Sequence, residues 1–413
     1  MPQLHWSQQL FTRRMLICVF TGFSSGLPLY LLLNLIPAWL KTEQIDLKAI
    51  GLLSLVQFPY TWKFIWSPLM DRFPILGLGR RRGWMLVSQL ALVLAIGLMG
   101  FLSPQTSLWS IAYLALGIAF FSASQDIVLD AYRREILSDR ELGLGNSVHV
   151  NAYRIAGLVP GSLSLILADH LPWHWVFPIT ALFMLPGLML TLLCQEPVAV
   201  RSPRTLREAV IEPFHEFIQR QGVQNALLIL AFIFLYKLGD SMATSLATPF
   251  YQDIGFSKTE IGLIAKHAGL WPSVIGGMLG GIWMLRLGIN RALWLFGLVQ
   301  ILAIFGFYFL AGIGHDRMAL AGVIGFEAFG VGIGTAAFTA FIARTTDPRY
   351  TATQFALFTS LAAVPRTFFN ASTGWLVESF GWQHFFLLCA VLAIPGMLLL
   401  LKVAPWQAEA NRE

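Results

Sequence analysis

The chain has 413 residues, of which 56% are hydrophobic and only 12% are charged. Soluble proteins contain about 25% charged residues, so a water-soluble fold is excluded and a helical membrane protein is indicated. The formal net charge is +6, but most basic residues fall on loops predicted to lie on one side of the membrane. That asymmetry is typical of cytoplasmic loops and gives no reason to expect a nucleic-acid partner.

Twelve apolar segments follow one another along the chain, each long enough to cross a bilayer. The spans are predicted at 13–40, 47–70, 83–103, 107–137, 143–169, 173–194, 223–251, 257–286, 290–312, 318–344, 350–379 and 382–403. We therefore predict an all-α polytopic protein with an N-terminal six-helix bundle at 1–194, a cytoplasmic linker at 195–222 and a C-terminal six-helix bundle at 223–413. The even number of spans and the basic chain ends predict that both termini are cytoplasmic.

The two halves carry similar corners on the predicted cytoplasmic side. Asp71 and Arg72 follow the second span and precede Arg80 in a basic turn, and Arg286 occupies a comparable turn after the eighth span. Arginines at such corners can dock on carbonyls and acids at a neighbouring helix end. We predict that Asp71, Arg72, Arg80 and Arg286 are gating residues, whose contacts close the cytoplasmic side and break when the site opens inward. The internal repeat is typical of transporters whose halves rock about a central site.

Two aspartates lie inside the fourth predicted span. Asp126 and Asp130 are four residues apart and share one helix face. A carboxylate at membrane depth is costly unless it faces water, a cavity or a partner charge. Glu327 lies in the tenth span, the repeat equivalent of the fourth. We predict that Asp126 takes up and releases a proton, with Asp130 and Glu327 in support. The alternative is a structural ion pair, above all for Asp130, because Arg133 follows it by one turn.

Cationic, aromatic and amide side chains are predicted in the same spans. Lys63 lies at a depth similar to that of Asp126, and Lys237 and Asp240 share one face of the seventh span. Cations can hold an anionic substrate group, and aromatic faces with nearby amides suit sugar rings. The alternatives are a self-compensating Lys237–Asp240 pair and, for most of the aromatic residues, ordinary interhelical packing. The residues predicted to bind substrate are Lys63, Tyr30, Asn34, Gln57, Tyr60, Trp62, Gln125, Tyr153, Arg154, Lys237, Asp240 and Gln354.

Motifs of enzymes and ATP-driven pumps are not found in the sequence. There is no nucleophile–base arrangement, nucleotide-binding loop or clear metal-ligand cluster. The glycine run at 330–334 lies within a predicted span and no strand precedes it, so it is not a phosphate loop. We expect no enzyme activity, no cofactor, no metal and no nucleic acid, and we expect a monomer in the lipid bilayer.

Several short motifs occur together in one known family. They are GFSSGLP at 22–28, WKFIWSPLMDR at 62–72, GRRRGW at 79–84, ASQDIVLDA at 123–131, KLGD at 237–240 and ATQFAL at 352–357. The set resembles the AmpG muropeptide permeases of the major facilitator superfamily, and the resemblance covers nearly the whole chain. The sequence departs from the loop motif of the superfamily at Ser67, where a glycine is usual, and in the seven residues that separate Arg72 from Arg80.

The resemblance implies a bacterial inner-membrane importer. Its substrates would be N-acetylglucosamine–1,6-anhydro-N-acetylmuramic acid disaccharides, with or without a stem peptide, moved in symport with protons. The implied role is peptidoglycan recycling, which feeds the signal for β-lactamase induction. The alternatives are a porter of the same fold for another bulky anion, such as acyl-coenzyme A or a folate-like molecule, and a non-transporting membrane sensor. A sensor would need a soluble output domain, and the longest predicted extramembrane stretch is 195–222.

Overall fold

The computed structural model describes residues 11–45, 56–197, 205–370 and 372–406. Within these ranges the chain forms helices joined by short turns, and no strand occurs. The helices are α1 (Arg13–Tyr30), α2 (Ile36–Thr42), α3 (Phe58–Trp62), α4 (Ser67–Arg72), α5 (Arg82–Met99), α6 (Pro104–Ile136), α7 (Leu142–Ala156), α8 (Ser164–Ala168), α9 (Trp173–Leu182), α10 (Leu185–Leu193), α11 (Leu206–Gln221), α12 (Val223–Leu235), α13 (Leu238–Ser245), α14 (Ala247–Asp253), α15 (Lys258–Ile313), α16 (Arg317–Thr345), α17 (Thr351–Asn370) and α18 (Thr373–Val403).

Short irregular turns interrupt several of the predicted spans. Five-residue π-helical turns, Leu31–Leu35 and Val159–Leu163, connect α1 to α2 and α7 to α8. Pro160 lies at the start of the second of these turns, where its missing N–H removes a helical hydrogen bond. A 3₁₀ turn, Lys63–Ile65, connects α3 to the segment that ends in α4. Lys63 therefore lies at a break in a helix, where backbone groups are freed from regular hydrogen bonding.

Nine helical segments of the described residues are long and apolar enough to cross a membrane. They are Arg13–Thr42, Arg82–Met99, Pro104–Ile136, Leu142–Ala168, Trp173–Leu193, Val223–Asp253, His267–Ile313, Arg317–Thr345 and Thr373–Val403. Two predicted boundaries fall inside these helices, at Gly288 and Gly381, where φ is 74° and 75°. Glycine adopts this left-handed backbone at little cost, and each one breaks its helix.

Three of the twelve predicted spans have no separate segment among these nine. α15 contains the eighth and ninth predicted spans on either side of Gly288. The eleventh predicted span corresponds to α17 together with the part of α18 that precedes Gly381. The second predicted span, 47–70, lies partly outside the described residues, and its described part consists of α3, the 3₁₀ turn and α4.

The described residues cluster into two compact units. One unit contains Met1–Ser138, Val148–Phe214 and Thr346–Ser360, and the other contains Asp139–Ser147, His215–Thr345 and Leu361–Glu413. The boundary between the units therefore passes within α7, α11 and α17. The three-part division at residues 194 and 222 stays a prediction.

Each unit has its own apolar core. In the first unit, Leu27, Leu92 and Phe177 are completely buried, and the Trp39 ring meets that of Phe177 at 4.9 Å between centroids. In the second unit, Phe250 packs against Phe386 at 4.8 Å. Lipid tails are as apolar as these side chains, so van der Waals packing rather than removal from water holds the helices together.

Two glycines let α1 approach α7 closely in the first unit. A Cβ atom at Gly22 would overlap the carbonyl oxygen of His149, and one at Gly26 would overlap the carbonyl oxygen of Tyr153. Small residues four apart permit this kind of contact between membrane helices. Because Ser24 and Ser25 lie between the two glycines, the contact also fixes two hydroxyl groups.

Candidate functional site

Asp126 lies half-buried on α6, with one direct hydrogen bond in the first unit. The Ser25 hydroxyl of α1 donates to its Oδ1 over 2.6 Å. Lys63 is 7% exposed and lies near enough for its charge to act on the Asp126 carboxylate. No direct ion pair joins the two side chains among the residues that the structure describes. The acid predicted to carry the proton therefore has a hydroxyl donor and a nearby cation, but no fixed counter-charge.

Asp130 has a different environment, although it lies only one turn further along α6. Its Oδ1 accepts a hydrogen bond from the Arg133 guanidinium over 2.8 Å, within the same helix. The Arg133 guanidinium also lies over the Phe355 ring, 5.8 Å from its centroid. Asp130 is thus held in an ion pair, which was the alternative interpretation of this residue.

A chain of buried hydrogen bonds runs behind Asp126. The Gln125 amide donates to the Ser24 hydroxyl over 3.2 Å, and the Gln89 amide reaches the same hydroxyl over 3.5 Å. Thr191 donates to the Gln89 carbonyl oxygen over 2.8 Å. Sequence reasoning missed Ser24, Gln89 and Thr191. Only the serine had a signal, its place between two glycines of the GFSSGLP motif.

The aromatic and amide side chains predicted to bind substrate are spread along the first unit. The Tyr30 and Tyr153 rings meet at 5.6 Å between α1 and α7, and the Arg154 side chain is half-buried beside Tyr153. Asn34 is exposed in the turn that follows α1. Trp62 is 41% exposed and stacks on Phe58 at 5.3 Å.

Two other predicted residues lie near the start of α3. Gln57 is the half-buried residue that precedes this helix. The Tyr60 hydroxyl is buried, and Tyr60 lies next to Ser122 and near Asp126. Tyr60 therefore belongs to the immediate surroundings of the acid.

In the second unit, a polar cluster forms at the break between α12 and α13. The Lys237 ammonium donates to Asp240 over 3.1 Å and to the Gln300 carbonyl oxygen over 2.6 Å. The Lys237 and Asp240 side chains keep exposures of 20% and 14%. Gln300 was missed from the sequence. It lies against Gly334 of α16, where a Cβ atom would overlap its amide. The missing side chain at Gly334 leaves room for Gln300 to reach Lys237.

Glu327, the third predicted proton residue, is half-buried on α16 in the second unit. It lies near enough to Tyr251 of α14 for an electrostatic interaction between the two side chains. Glu327 therefore lies in the second unit, on α16 and near α14, whereas Asp126 lies in the first unit.

Asp71, at the end of α4, is completely buried and caps the first turn of α17 within the first unit. Its Oδ2 accepts from the Thr353 backbone N–H over 2.8 Å and from the Thr353 hydroxyl over 2.7 Å. Its Oδ1 accepts from the Ala352 N–H over 3.3 Å. A carboxylate at this place satisfies unpaired N–H groups and complements the positive end of the helix dipole.

Arg81 connects Asp71 to a second acid. Its guanidinium is completely buried and donates to Asp71 over 2.8 Å, to Glu135 over 2.6 Å and to the Met70 carbonyl oxygen over 3.2 Å. Burial opposes the charge, but Glu135 and Asp71 overcome this effect and raise the pKa of Arg81 above its ordinary value. Arg81 and Glu135 were missed, because a basic turn in a sequence does not reveal which arginine points inward.

Arg80 lies beside this network. It donates to the Asp71 carbonyl oxygen over 3.1 Å and to Glu135 over 3.4 Å. Burial and the neighbouring Arg81 charge lower its pKa from the usual value. On the other side of the turn, both carboxylate oxygens of Glu196 accept from the backbone N–H groups of Arg81 and Arg82, at 2.7 and 2.9 Å. The basic turn is therefore held by acids on both sides.

The remaining residues predicted for gating and binding at this end have other partners. The Arg72 guanidinium lies over the Phe73 ring at 4.7 Å, and Arg286 is exposed within α15, two residues before the break at Gly288. Gln354 is buried, donates to the Pro213 carbonyl oxygen over 2.9 Å and accepts from the Asp347 N–H over 2.7 Å. The structure places Gln354 next to the residues that Asp71 caps.

Comparisons with known proteins agree with this architecture. The family model described as Major Facilitator Superfamily matches residues 18–370 and, in a second match, residues 238–413. A protein of Haemophilus influenzae is 52% identical over 416 residues, which is 98% of each chain. The anhydromuropeptide permease of Escherichia coli K12 is 43% identical over 391 residues, covering 94% of this chain and 79% of that one.

Among solved structures, the human organic anion transporter MFSD10 matches with a TM-score of 0.69 at 16% identity, covering 94% of this chain and 99% of that one. This likeness shows the fold alone. Together the comparisons confirm the predicted all-α polytopic membrane architecture and a transporter rather than an enzyme. The chain belongs to the Major Facilitator Superfamily and, within it, to the family of AmpG permeases.

Proposed function

We propose that this protein imports anhydro-muropeptides across the bacterial inner membrane in symport with protons. The observation that carries the substrate class is the 43% identity, over 94% of this chain, to an anhydromuropeptide permease. The substrates are N-acetylglucosamine–1,6-anhydro-N-acetylmuramic acid with or without stem peptide. Uptake serves peptidoglycan recycling and the signal for β-lactamase induction. The protein works as a monomer with both termini in the cytoplasm.

Asp126 is the proton site in this proposal. A carboxylate that is half-buried and lacks a fixed counter-charge can exist in either protonation state, because neither state breaks an ion pair. Ser25 can serve both states, since its hydroxyl donates to the carboxylate and accepts from the acid. Asp130 is less suited, because protonation would break its ion pair with Arg133. Glu327 supports coupling from the second unit.

Lys237 is the main anchor for the peptide carboxylates in this proposal. Gln300 holds its ammonium in place over 2.6 Å, and Asp240 neutralises its charge over 3.1 Å. An incoming carboxylate can replace Asp240 as the partner without any movement of the Gln300 contact. Lys63 and Arg154 offer further cations in the first unit, and the Tyr30–Tyr153 pair offers an apolar face for a sugar ring.

Transport proceeds by alternating access in this proposal. The contacts of Asp71 with Thr353 and Ala352 stabilise one state and break as the protein passes to the other. Substrate and proton shift the populations because each binds the two states with different affinity. Arg81 and Glu135 keep the Asp71 carboxylate oriented, so that the contacts can form again.

Uptake into proteoliposomes tests the proposed substrate. Labelled anhydro-muropeptides of defined peptide length are added with and without an imposed proton gradient, and unlabelled acyl-coenzyme A and folate serve as competitors. The proposal predicts saturable uptake that a proton gradient accelerates. Only unlabelled muropeptides should inhibit this uptake. Competition by acyl-coenzyme A or folate alone would assign the protein to another bulky anion. Binding without uptake would favour a sensor.

A further inference from the structure

Two buried hydroxyl groups next to Asp126 have no hydrogen-bond partner. The Tyr60 hydroxyl of α3 and the Ser122 hydroxyl of α6 are both shielded from solvent, and neither makes a hydrogen bond to a described residue. Ser122 is completely buried. Such hydroxyls normally find a partner, because leaving one unpaired inside a protein carries a substantial cost. A pair of them at one place indicates that a small polar molecule completes the site.

The position of these hydroxyls is set by the packing of α3 on α6. Tyr60 lies next to Ser122 and close to the Asp126 carboxylate. Ser122 and Asp126 are four residues apart on α6 and therefore share a face. The hydrogen bond from Ser25 occupies Oδ1 of Asp126, and no described residue donates to Oδ2. The Tyr60 and Ser122 hydroxyls thus lie close to the Asp126 carboxylate.

We propose that an ordered water molecule is bound by the Tyr60 hydroxyl, the Ser122 hydroxyl and the free Asp126 oxygen, and that Asp126 exchanges its proton through this water. Three polar partners are the usual number for a buried water. The site lies on α3 and α6 of the first unit. This inference rests on the proposed proton role of Asp126.

The proton step conserves the water molecule. When Asp126 is loaded, an O–H bond of the bound water breaks as the O–H bond of the carboxylic acid forms, and the water regains a proton from solvent. Release is the reverse. Tyr60 and Ser122 act as positioning residues that keep the water oxygen in line with Oδ2, and they neither gain nor lose a proton overall.

The charged groups around Asp126 are compatible with proton exchange through a bound water. Lys63 acts on the carboxylate from the 3₁₀ turn, and Asp130 and Arg133 act on it from the same helix. From α1 the nearest group is the neutral Ser25 hydroxyl. A neutral water can therefore move a proton without displacing a fixed ion pair.

The test uses the full-length protein in proteoliposomes, with Tyr60→Phe, Ser122→Ala and the double variant. Ser122→Thr keeps the hydroxyl and serves as the rescue variant, and Tyr113→Phe removes a hydroxyl from an exposed position on the same helix. Gradient-driven muropeptide uptake is compared with substrate exchange at equal pH on both sides, which needs no net proton transfer. Infrared difference spectra report the carbonyl band of protonated Asp126, assigned by its loss in Asp126→Asn.

The proposal predicts that Ser122→Ala loses several-fold and the double variant about tenfold in gradient-driven uptake, while exchange and muropeptide affinity stay unchanged in Ser122→Ala. The Asp126 carbonyl band moves to a higher wavenumber, since a hydrogen bond from water is lost. Ser122→Thr and Tyr113→Phe behave as the wild type. Unchanged uptake and an unchanged band in the double variant would overturn the inference. So would weaker muropeptide binding with an unchanged band, because the hydroxyls would then contact the substrate itself.

The two proposals fail in different ways. If Asp126→Asn keeps gradient-driven uptake, the proton role of Asp126 fails. If Asp126→Asn abolishes this uptake while the double variant keeps it, the proton role of Asp126 stands and only the proposed water site is refuted.

Discussion

The Asp71 carboxylate accepts two hydrogen bonds from Thr353, one from its backbone N–H over 2.8 Å and one from its hydroxyl over 2.7 Å. These residues are far apart in sequence, yet both belong to the first compact unit. The cap begins a helix, α17, whose later residues belong to the second unit. The proposed gating role of Asp71 depends on this contact.

Removal of the Asp71 charge is expected to slow transport more than it weakens binding. Asp71→Asn keeps the shape of the side chain but loses the charge that the α17 N–H groups and Arg81 both use. We expect gradient-driven uptake to fall about tenfold, and the muropeptide Kd to change by less than about twofold. The matched control is Asp169→Asn, because Asp169 is an exposed aspartate in the turn after α8. A loss confined to binding would contradict the gating role.

The close contact between α1 and α7 predicts a large difference between two glycine substitutions. Gly26→Ala places a methyl group on the Tyr153 carbonyl oxygen, whereas Gly97→Ala on α5 meets nothing within 4 Å. Overpacking of this kind costs about 1–3 kcal/mol, so we expect Gly26→Ala to lower the Tm in detergent and Gly97→Ala to leave it unchanged or slightly raised. Equal Tm values for the two variants would contradict this prediction, because α1 and α7 could then move apart without loss of stability.

Lys237 is expected to set the affinity for peptide carboxylates. Lys237→Met keeps much of the side-chain volume and removes the charge, so we expect the Kd for a muropeptide with a stem peptide to rise about tenfold. The Kd for the disaccharide without peptide should change less, since it lacks those carboxylates. Isothermal titration of both ligands measures the difference.

Two further variants refine this prediction. Gln300→Leu should weaken peptide binding in the same direction but by less, because Gln300 acts through the Lys237 ammonium. Lys41→Met is the control, since Lys41 is exposed at the end of α2. An equal loss for both ligands in Lys237→Met would indicate a structural role of the Lys237–Asp240 pair.

Asp130 is expected to matter for stability more than for coupling. Asp130→Asn removes the acceptor of the 2.8 Å ion pair with Arg133, and the buried arginine loses this one partner. We expect a lower Tm, with the ratio of uptake in the presence and absence of a proton gradient unchanged. If a proton gradient no longer accelerated uptake by Asp130→Asn, this would indicate that Asp130 rather than Asp126 carries the proton.

The general architecture could be predicted from the sequence because each membrane-spanning helix is indicated by its own run of apolar residues. Twenty or so apolar residues between polar turns are enough to indicate a span, and the described residues contain nine helical segments of this kind. The breaks at Gly288 and Gly381 also coincide with predicted boundaries. The π turns at Leu31–Leu35 and Val159–Leu163 could not be predicted, because they depend on packing within the folded unit.

The surroundings of the predicted site residues could be predicted only in part. The position of Asp126 and Asp130 on one helix face follows from their spacing, but spacing does not show that Ser25 binds one and Arg133 the other. Gln300 and Glu135 were missed because each lies alone in an apolar or charged stretch without a motif. Their roles depend on distant partners, Lys237 and Arg81, which come close only in the folded chain.

The central claim is that Asp126 carries the proton that drives muropeptide uptake. The most direct measurement is the initial rate of labelled anhydro-muropeptide uptake into proteoliposomes with and without an inward proton gradient, for the wild type, Asp126→Asn and the control Asp169→Asn. We expect the gradient to accelerate uptake by the wild type and the control and to have no effect on Asp126→Asn, which still binds and exchanges substrate. Equal acceleration in all three proteins would contradict the account.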